Sequence, residues 1–266
     1  MRKLFAIGVG LLVSRACFAG QETYSGKEMK PVAAPMPAPE CLWTGFYVGA
    51  KLGWGWNTGD VFNFPLPDPV TFNQVPVDAH PDANGFIGGG ELGYNWQIGR
   101  FVLGVETDFS GADVDGRDTV EPLFNLPGGP GDEIPGSLLV VSDRIDWFGT
   151  VRGRIGYTIM PCLLVYGTGG FAYIHRDLHG DVFIPPDETH PASVDDVATG
   201  WTAGGGLEYA INRHWSIKVE YLYLDGGSTS TSAVELGSGI PLPPFAERYT
   251  FDTQFHTVTA GINFKF

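Results

Sequence analysis

From residue 44 to the last residue, apolar and aromatic side chains recur at every second position in eight stretches, which is the period of a β-strand. The stretches are 44–56, 85–97, 101–111, 144–158, 162–175, 199–211, 215–225 and 250–266. In the first, Phe46, Val48, Ala50, Leu52, Trp54 and Trp56 share one face, while Tyr47, Gly49, Lys51, Gly53 and Gly55 share the other. In the last, Val258, Ala260, Ile262, Phe264 and Phe266 alternate with Thr257, Thr259, Gly261, Asn263 and Lys265. The seventh sets Trp215, Ile217, Val219, Tyr221 and Tyr223 against Ser216, Lys218, Glu220 and Leu222. Each stretch has ~10 residues or more, enough for a tilted strand to cross a bilayer. The connections alternate in length. Those at 98–100, 159–161 and 212–214 are tight, whereas 57–84, 112–143, 176–198 and 226–249 are long and rich in Pro, Asp and Gly. Long structureless connections are uncommon in compact soluble domains. Short turns on one rim and long loops on the other predict an all-β fold. The expected architecture is an eight-stranded antiparallel up-and-down transmembrane β-barrel with short periplasmic turns and four long extracellular loops.

Alternation alone does not say which face is outside, because a soluble sandwich alternates too. The rings decide it. Trp43, Trp96, Tyr157, Tyr209, Trp215 and Phe266 fall near the short-turn rim, and Trp54, Trp56, Trp147, Tyr173, Trp201 and Tyr223 towards the long-loop rim. Two aromatic bands flanking an aliphatic and glycine band have the pattern of interface girdles, so the uncharged, ring-bearing face should meet lipid. The other face collects Lys51, Arg152, Arg154 and Lys218 with Glu91, Glu106, Asp108, Glu208 and Glu220. Eight strands leave a lumen that side chains fill, and buried charges must be paired. Nearly balanced signs therefore predict a salt-bridged plug, with a narrow porin for small solutes as the alternative. Gly89, Gly93, Gly204 and Gly206 should make room for Arg and Tyr side chains opposite. The carboxylates are read as structural, not as an acid–base pair.

Composition narrows the class. The 266 residues carry a net charge of −14, which argues against a nucleic-acid partner. No run of ~18 apolar residues exists to make a membrane-spanning helix. Arg2 and Lys3 ahead of the apolar run Leu4 to Val13, then Cys17-Phe18-Ala19, read as a secretory signal over 1–19. Residues 20–42 follow as a Pro-rich periplasmic segment whose prolines favour an extended chain, and 43–266 form the barrel. The four long connections hold 19 acidic and three basic residues, the latter being Arg117, Arg176 and Arg248. Nearly all the net charge is thus expected on the extracellular rim, where it keeps the loops solvated. A sharper reading of these carboxylates is weak divalent-cation contact through Asp113, Asp115 and Asp118, or Asp195 and Asp196; no tight metal site and no cofactor are expected.

Cys41 and Cys162 both fall at the periplasmic rim, in an oxidising compartment. They are either bonded, which requires the N-terminal segment to cross the barrel floor, or two unpaired thiols. His214-Trp215-Ser216 with Glu220 has the spelling of a lipid-modifying catalytic group, but it lies beside a short turn and is read as non-catalytic. His80, His175, His179 and His190 lie in or beside the long connections, with no spacing that ties them into a metal or haem site.

A set of motifs resembles one family. Trp43-Thr44-Gly45-Phe46-Tyr47-Val48-Gly49-Ala50, after a signal and a Pro/Ala-rich spacer, is similar to the opening strand of the small alphaproteobacterial outer-membrane β-barrel proteins, relatives of the OmpA-like and opacity-type barrels. Gly90-Glu91-Leu92-Gly93-Tyr94-Asn95-Trp96, Val105-Glu106-Thr107-Asp108-Phe109, Val151-Arg152-Gly153-Arg154-Ile155-Gly156-Tyr157 and the terminal Gly261-Ile262-Asn263-Phe264-Lys265-Phe266 continue the match. The resemblance implies a monomeric porin-like barrel in the outer membrane with surface-antigen, envelope-stabilising or adhesive roles, and no catalytic residues. It implies that Phe266 is read by the barrel-assembly machinery. The partners to expect are outer-membrane lipids, lipopolysaccharide and an extracellular partner of the long loops.

Overall fold

The computed structural model describes residues 41–65, 73–74, 77–121, 123–126, 129–133, 135–185, 188–234 and 246–266. The expected signal peptide and all but the last two residues of the Pro-rich segment lie outside the described residues. Eight long strands form the ring: β1 (Gly45–Asn57), β2 (Asn84–Ile98), β3 (Phe101–Val120), β4 (Leu138–Met160), β5 (Leu163–Ile184), β6 (Glu188–Ala210), β7 (Trp215–Val234) and β8 (Ala246–Lys265). Each pairs antiparallel with the next, and β1 pairs with β8 to close the barrel. Ala50 shows the closure directly, standing opposite Gly90 of β2 on one side and Ile262 of β8 on the other.

The strands are longer than the alternating pattern predicted. β5 and β6 stay paired until Ile184 meets Glu188, so most of the expected loop 176–198 is a β-hairpin. β3, β4, β7 and β8 also run well into segments assigned to loops. At ~3.3 Å per residue the 23 residues of β4 measure about 75 Å, far more than an apolar band ~25 Å tall requires. The barrel wall therefore continues beyond the membrane. There it gains a short strand, Val61–Pro65, paired with the start of β8, and another, Val77–Ala79, paired with the first. Residues 73–74, 123–126 and 129–133 form a separate small sheet.

Polarity is opposite in the two halves. In the lower half, next to the short turns, Val48, Leu52, Leu92, Val105, Val151, Ile155, Leu207, Val219 and Ile262 are all exposed on the outer face. A belt of this size has no place on a water-soluble surface. The same level inside is charged. In the upper half the inside is apolar: Val61, Leu139, Val141, Leu178, Val182, Tyr249 and Phe251 form one buried cluster, and Ile87, Val114, Ile145, Phe148, Ile174, Leu222, Leu224 and Phe255 another just below it. These apolar layers were not anticipated from the sequence, which placed small and charged residues inside around a salt-bridged plug. Above the bilayer water surrounds the wall, so the apolar side chains turn inward as in any soluble core.

Candidate functional site

The candidate site is the charged layer crossing the lower lumen. Strand parity delivers it: Lys51 on β1, Glu91 on β2, Glu106 and Asp108 on β3, Arg152 and Arg154 on β4, Glu208 on β6, and Lys218 and Glu220 on β7 are all buried on the inner face. Arg152 is the hub. Its guanidinium lies 2.5 Å from Glu106, 2.9 Å from Asp108 and 3.1 Å from Glu220. Lys218 sits 2.7 Å from Glu91 and 3.2 Å from Glu106, and Lys51 2.9 Å from Asp108. Glu91 and Asp108 are directly opposite each other on paired strands, a like-charge placement that destabilises a sheet unless compensated. The ammonium groups of Lys218 and Lys51 supply that compensation. Arg154 pairs with Glu208, which also accepts hydrogen bonds from Ser216 at 2.6 Å and Asn263 at 3.2 Å.

Two tyrosines that sequence reasoning did not single out complete the layer. Tyr47 donates to Glu106 at 2.5 Å and Tyr166 to Glu220 at 2.9 Å, and Arg154 stacks 3.7 Å over the Tyr166 ring. Their rings need space against the wall. A Cβ on Gly93 would lie 2.4 Å from the Tyr47 ring, and one on Gly206 2.7 Å from the Tyr166 hydroxyl, so these glycines accommodate tyrosines as expected. Gly89 and Gly204 face Ser110 and Leu222 instead. Parity along β1 and β5 was the signal that placed both tyrosines inside.

A second polar site lies higher. Arg176, assigned to a loop from sequence, is buried inside the barrel, 3.1 Å from Asp143. Asn57 donates to the same carboxylate at 2.5 Å, and Thr253 also bonds Arg176. Lone charges between two apolar clusters would be costly, and here each has its partner.

Below the charged layer, the floor is closed by the residues preceding β1. Cys41 and Cys162 are disulfide-bonded, with Cα atoms 5.1 Å apart. Trp43 does not join the short-turn girdle as expected; it is buried with Val102, Leu164 and Tyr166. It shares the odd-numbered, inward parity of Tyr47 and Lys51, which explains the difference. Its amide donates to Gln97 at 2.8 Å. The other interface aromatics lie on the outer face: Trp54, Trp96, Trp201, Trp215 and Phe266 are exposed, and Trp56 and Trp147 are half-buried by stacking on His256 and His175.

His214, Ser216 and Glu220 are each engaged elsewhere. Ser216 donates to Glu208, the His214 ring nitrogen Nδ1 lies 3.0 Å from the Lys265 carbonyl, and Glu220 is held by Arg152. The loop histidines pair locally: His80 with Asp60, His175 with Asp146 and Asp195, and His179 with Asp177. The side chain of His190 lies outside the described residues. Among the described residues no group of three or more His, Cys, Asp or Glu is placed to hold a metal ion.

A ring of eight antiparallel strands closed by β1 on β8, a lipid-facing apolar belt and two girdles define an outer-membrane β-barrel. The chain belongs to the outer membrane protein β-barrel domain family, whose model matches residues 32–266. It is 35% identical to the 31 kDa outer-membrane immunogenic protein of Brucella melitensis over the full length of both chains. It is 32% identical to the 22 kDa outer membrane protein of Rhizobium leguminosarum, over 76% of this chain and 79% of that one. Among solved structures, OprG from Pseudomonas aeruginosa is similar with a TM-score of 0.47 and 12% identity, covering 86% of this chain and 99% of that chain. The protein is thus an outer-membrane β-barrel located in the outer membrane.

Proposed function

We propose that this protein is a non-enzymatic, monomeric surface barrel with a sealed lumen, which stabilises the envelope and offers its acidic outer end to extracellular partners. One observation carries the reading: Arg152, fully buried, ties three carboxylates from two strands across the lumen axis. Such a network fills the cross-section with groups that satisfy one another, and any permeating ion would have to break it. Above it the apolar clusters around Phe148 and Tyr249, with the paired Arg176 and Asp143 between them, fill the lumen further. On this reading residues 1–19 direct export, 20–42 form a periplasmic segment and 43–266 the barrel. Phe266, exposed at the end of β8, is presented to the assembly machinery, and the girdles seat the barrel among outer-membrane lipids and lipopolysaccharide. Relatives named as immunogenic outer-membrane proteins support a role at the exposed surface.

Conductance tests the plug. The purified barrel in a planar bilayer should show no steady channel, whereas Arg152→Ala with Lys218→Ala should open measurable conductance once the cluster above is cut back as well by Phe148→Ala with Phe255→Ala. Steady ion-selective current through the unaltered protein would replace this reading with the narrow porin.

A further inference from the structure

Above the outer girdle the ring is not closed everywhere among the described residues. β6 and β7 are paired from Ala210 opposite Ser216 up to Trp201 opposite Asp225, and no further. Yet β6 continues along β5 to Glu188, and β7 along β8 to Val234. They part at a bulge, where Gly227 takes a left-handed φ of 71° and β7 turns to follow β8. Among the described residues, the side of β6 from 189 to 199 that faces β7, and the side of β7 from 227 to 233 that faces β6, have no strand partner. The free stretch of β6 is roughly 35 Å long at ~3.3 Å per residue. Pro191 sits within it, and a residue without an amide hydrogen is confined to strands with an open side.

The slit has its own chemistry. Its inner wall is small and apolar, with Ala192 and Ala198 almost covered and Val194 packed on the upper cluster. Its rim is acidic. Asp195 and Asp196 are exposed on the β6 edge, Asp195 with one oxygen 3.0 Å from His175 and Asp196 with one oxygen on the Val197 amide; Asp225 marks the base, and Asp177, paired with His179, and Asp181 stand on β5 behind it. Asp196 has the inward parity of Ala192 and Ala198 but reaches solvent through the opening. Of the nearby cations, Arg176 stands opposite Asp196 on β5 but is buried against Asp143, and Arg248 on β8 stands opposite Ser232 towards the far end of β7.

We propose that this slit is a strand-addition site for an extended, basic peptide segment of an extracellular partner. The Val197 amide is already held by the Asp196 carboxylate at 2.7 Å and the Gly227 amide by Asp225 at 2.9 Å; the main-chain groups of the two edges that have no strand partner among the described residues supply the backbone recognition. The acidic rim selects the sign of the partner. A second copy of this chain would bring the same carboxylates together, and acidic edges disfavour that pairing. The inference rests on the surface-interaction reading above and gives that surface its partner class.

The test uses the folded barrel in lipid nanodiscs and a fluorescent ten-residue peptide of alternating lysine and threonine, read by anisotropy. Binding is expected, weakened at least tenfold when alternate peptide nitrogens are methylated, and at least tenfold by Asp195→Asn with Asp196→Asn. The glutamate–threonine counterpart should not bind. Absence of binding by the lysine peptide overturns the proposal, as does equal binding of the methylated peptide, which would reduce it to charge attraction. Equal binding of the glutamate peptide removes the charge selection, and peptide-independent cross-linking of two barrels through their β6 edges makes the occupant a second copy. A barrel that stays non-conducting but binds no peptide rejects strand addition alone, whereas a conducting one rejects the plug.

Discussion

Arg152 carries the interior because of its geometry as much as its charge. The planar fork reaches Glu106 and Asp108 through one nitrogen and Glu220 through the other, which an ammonium cannot do from one position. Removing the cation leaves three buried carboxylates short of a partner, and breaking a buried pair from one side costs about 3–5 kcal/mol. Arg152→Met should therefore lower the unfolding free energy of the detergent-solubilised barrel, measured in urea, by about 3–5 kcal/mol. Arg152→Lys should lie between it and the native protein. A methionine variant as stable as the native barrel would mean that water enters the lumen and screens the carboxylates.

Among the elements, the segment ahead of β1 is held most firmly where it has no strand to hold it. Its anchors are the Cys41–Cys162 bond, the Trp43 amide on Gln97 and the Gln97 amide on Thr44. The disulfide spans 121 residues, and a cross-link of that reach typically contributes about 2–4 kcal/mol by restricting the unfolded chain. Cys41→Ser with Cys162→Ser should cost that much in urea unfolding and should raise quenching of tryptophan fluorescence by iodide as Trp43 loosens; unchanged quenching would show that packing alone seats the ring. The strand ends show what the sequence made legible and what it hid. The eight strands and the nine charges of the lower layer were readable, because uncharged outward residues beside charged inward ones repeat with period two. The upward extensions were not. In β5 the inward series Ala172, Ile174, Arg176, Leu178 and Val182 continues unbroken, but the outward series changes from Phe171 and Tyr173 to His175, Asp177, His179 and Asp181. The polar outward residues gave the segment the composition of a loop, and so hid both the strand and the Arg176–Asp143 pair inside it.

For the whole molecule, one sheet serves two solvents, and β8 shows the exchange along a single strand. Near its end Ile262 and Val258 face out while Asn263, Thr259 and Thr257 face in; towards its start His256, Gln254, Asp252 and Thr250 face out while Phe255, Phe251 and Tyr249 face in. The changeover coincides with register shifts at Gly111/Val114 on β3 and Asp225/Gly227 on β7, and with the skipped Asp146 on β4. Bulges strengthen twist and re-aim side chains, so the wall can leave the bilayer at this level without exposing its new apolar face. The outer boundary of the lipid should follow this level around the barrel, near Trp54, Trp147, Trp201 and Tyr223. Single spin labels, with Cys41 and Cys162 left bonded, locate it. Labels replacing Leu52, Val105 or Leu207 should relax faster with oxygen than with a water-soluble nickel chelate, and labels replacing Arg144, Ser193 or Gln254 should show the reverse. A label at Ser193 shielded from nickel and open to oxygen would place the upper half within the bilayer, and the inverted polarity would then have no physical cause.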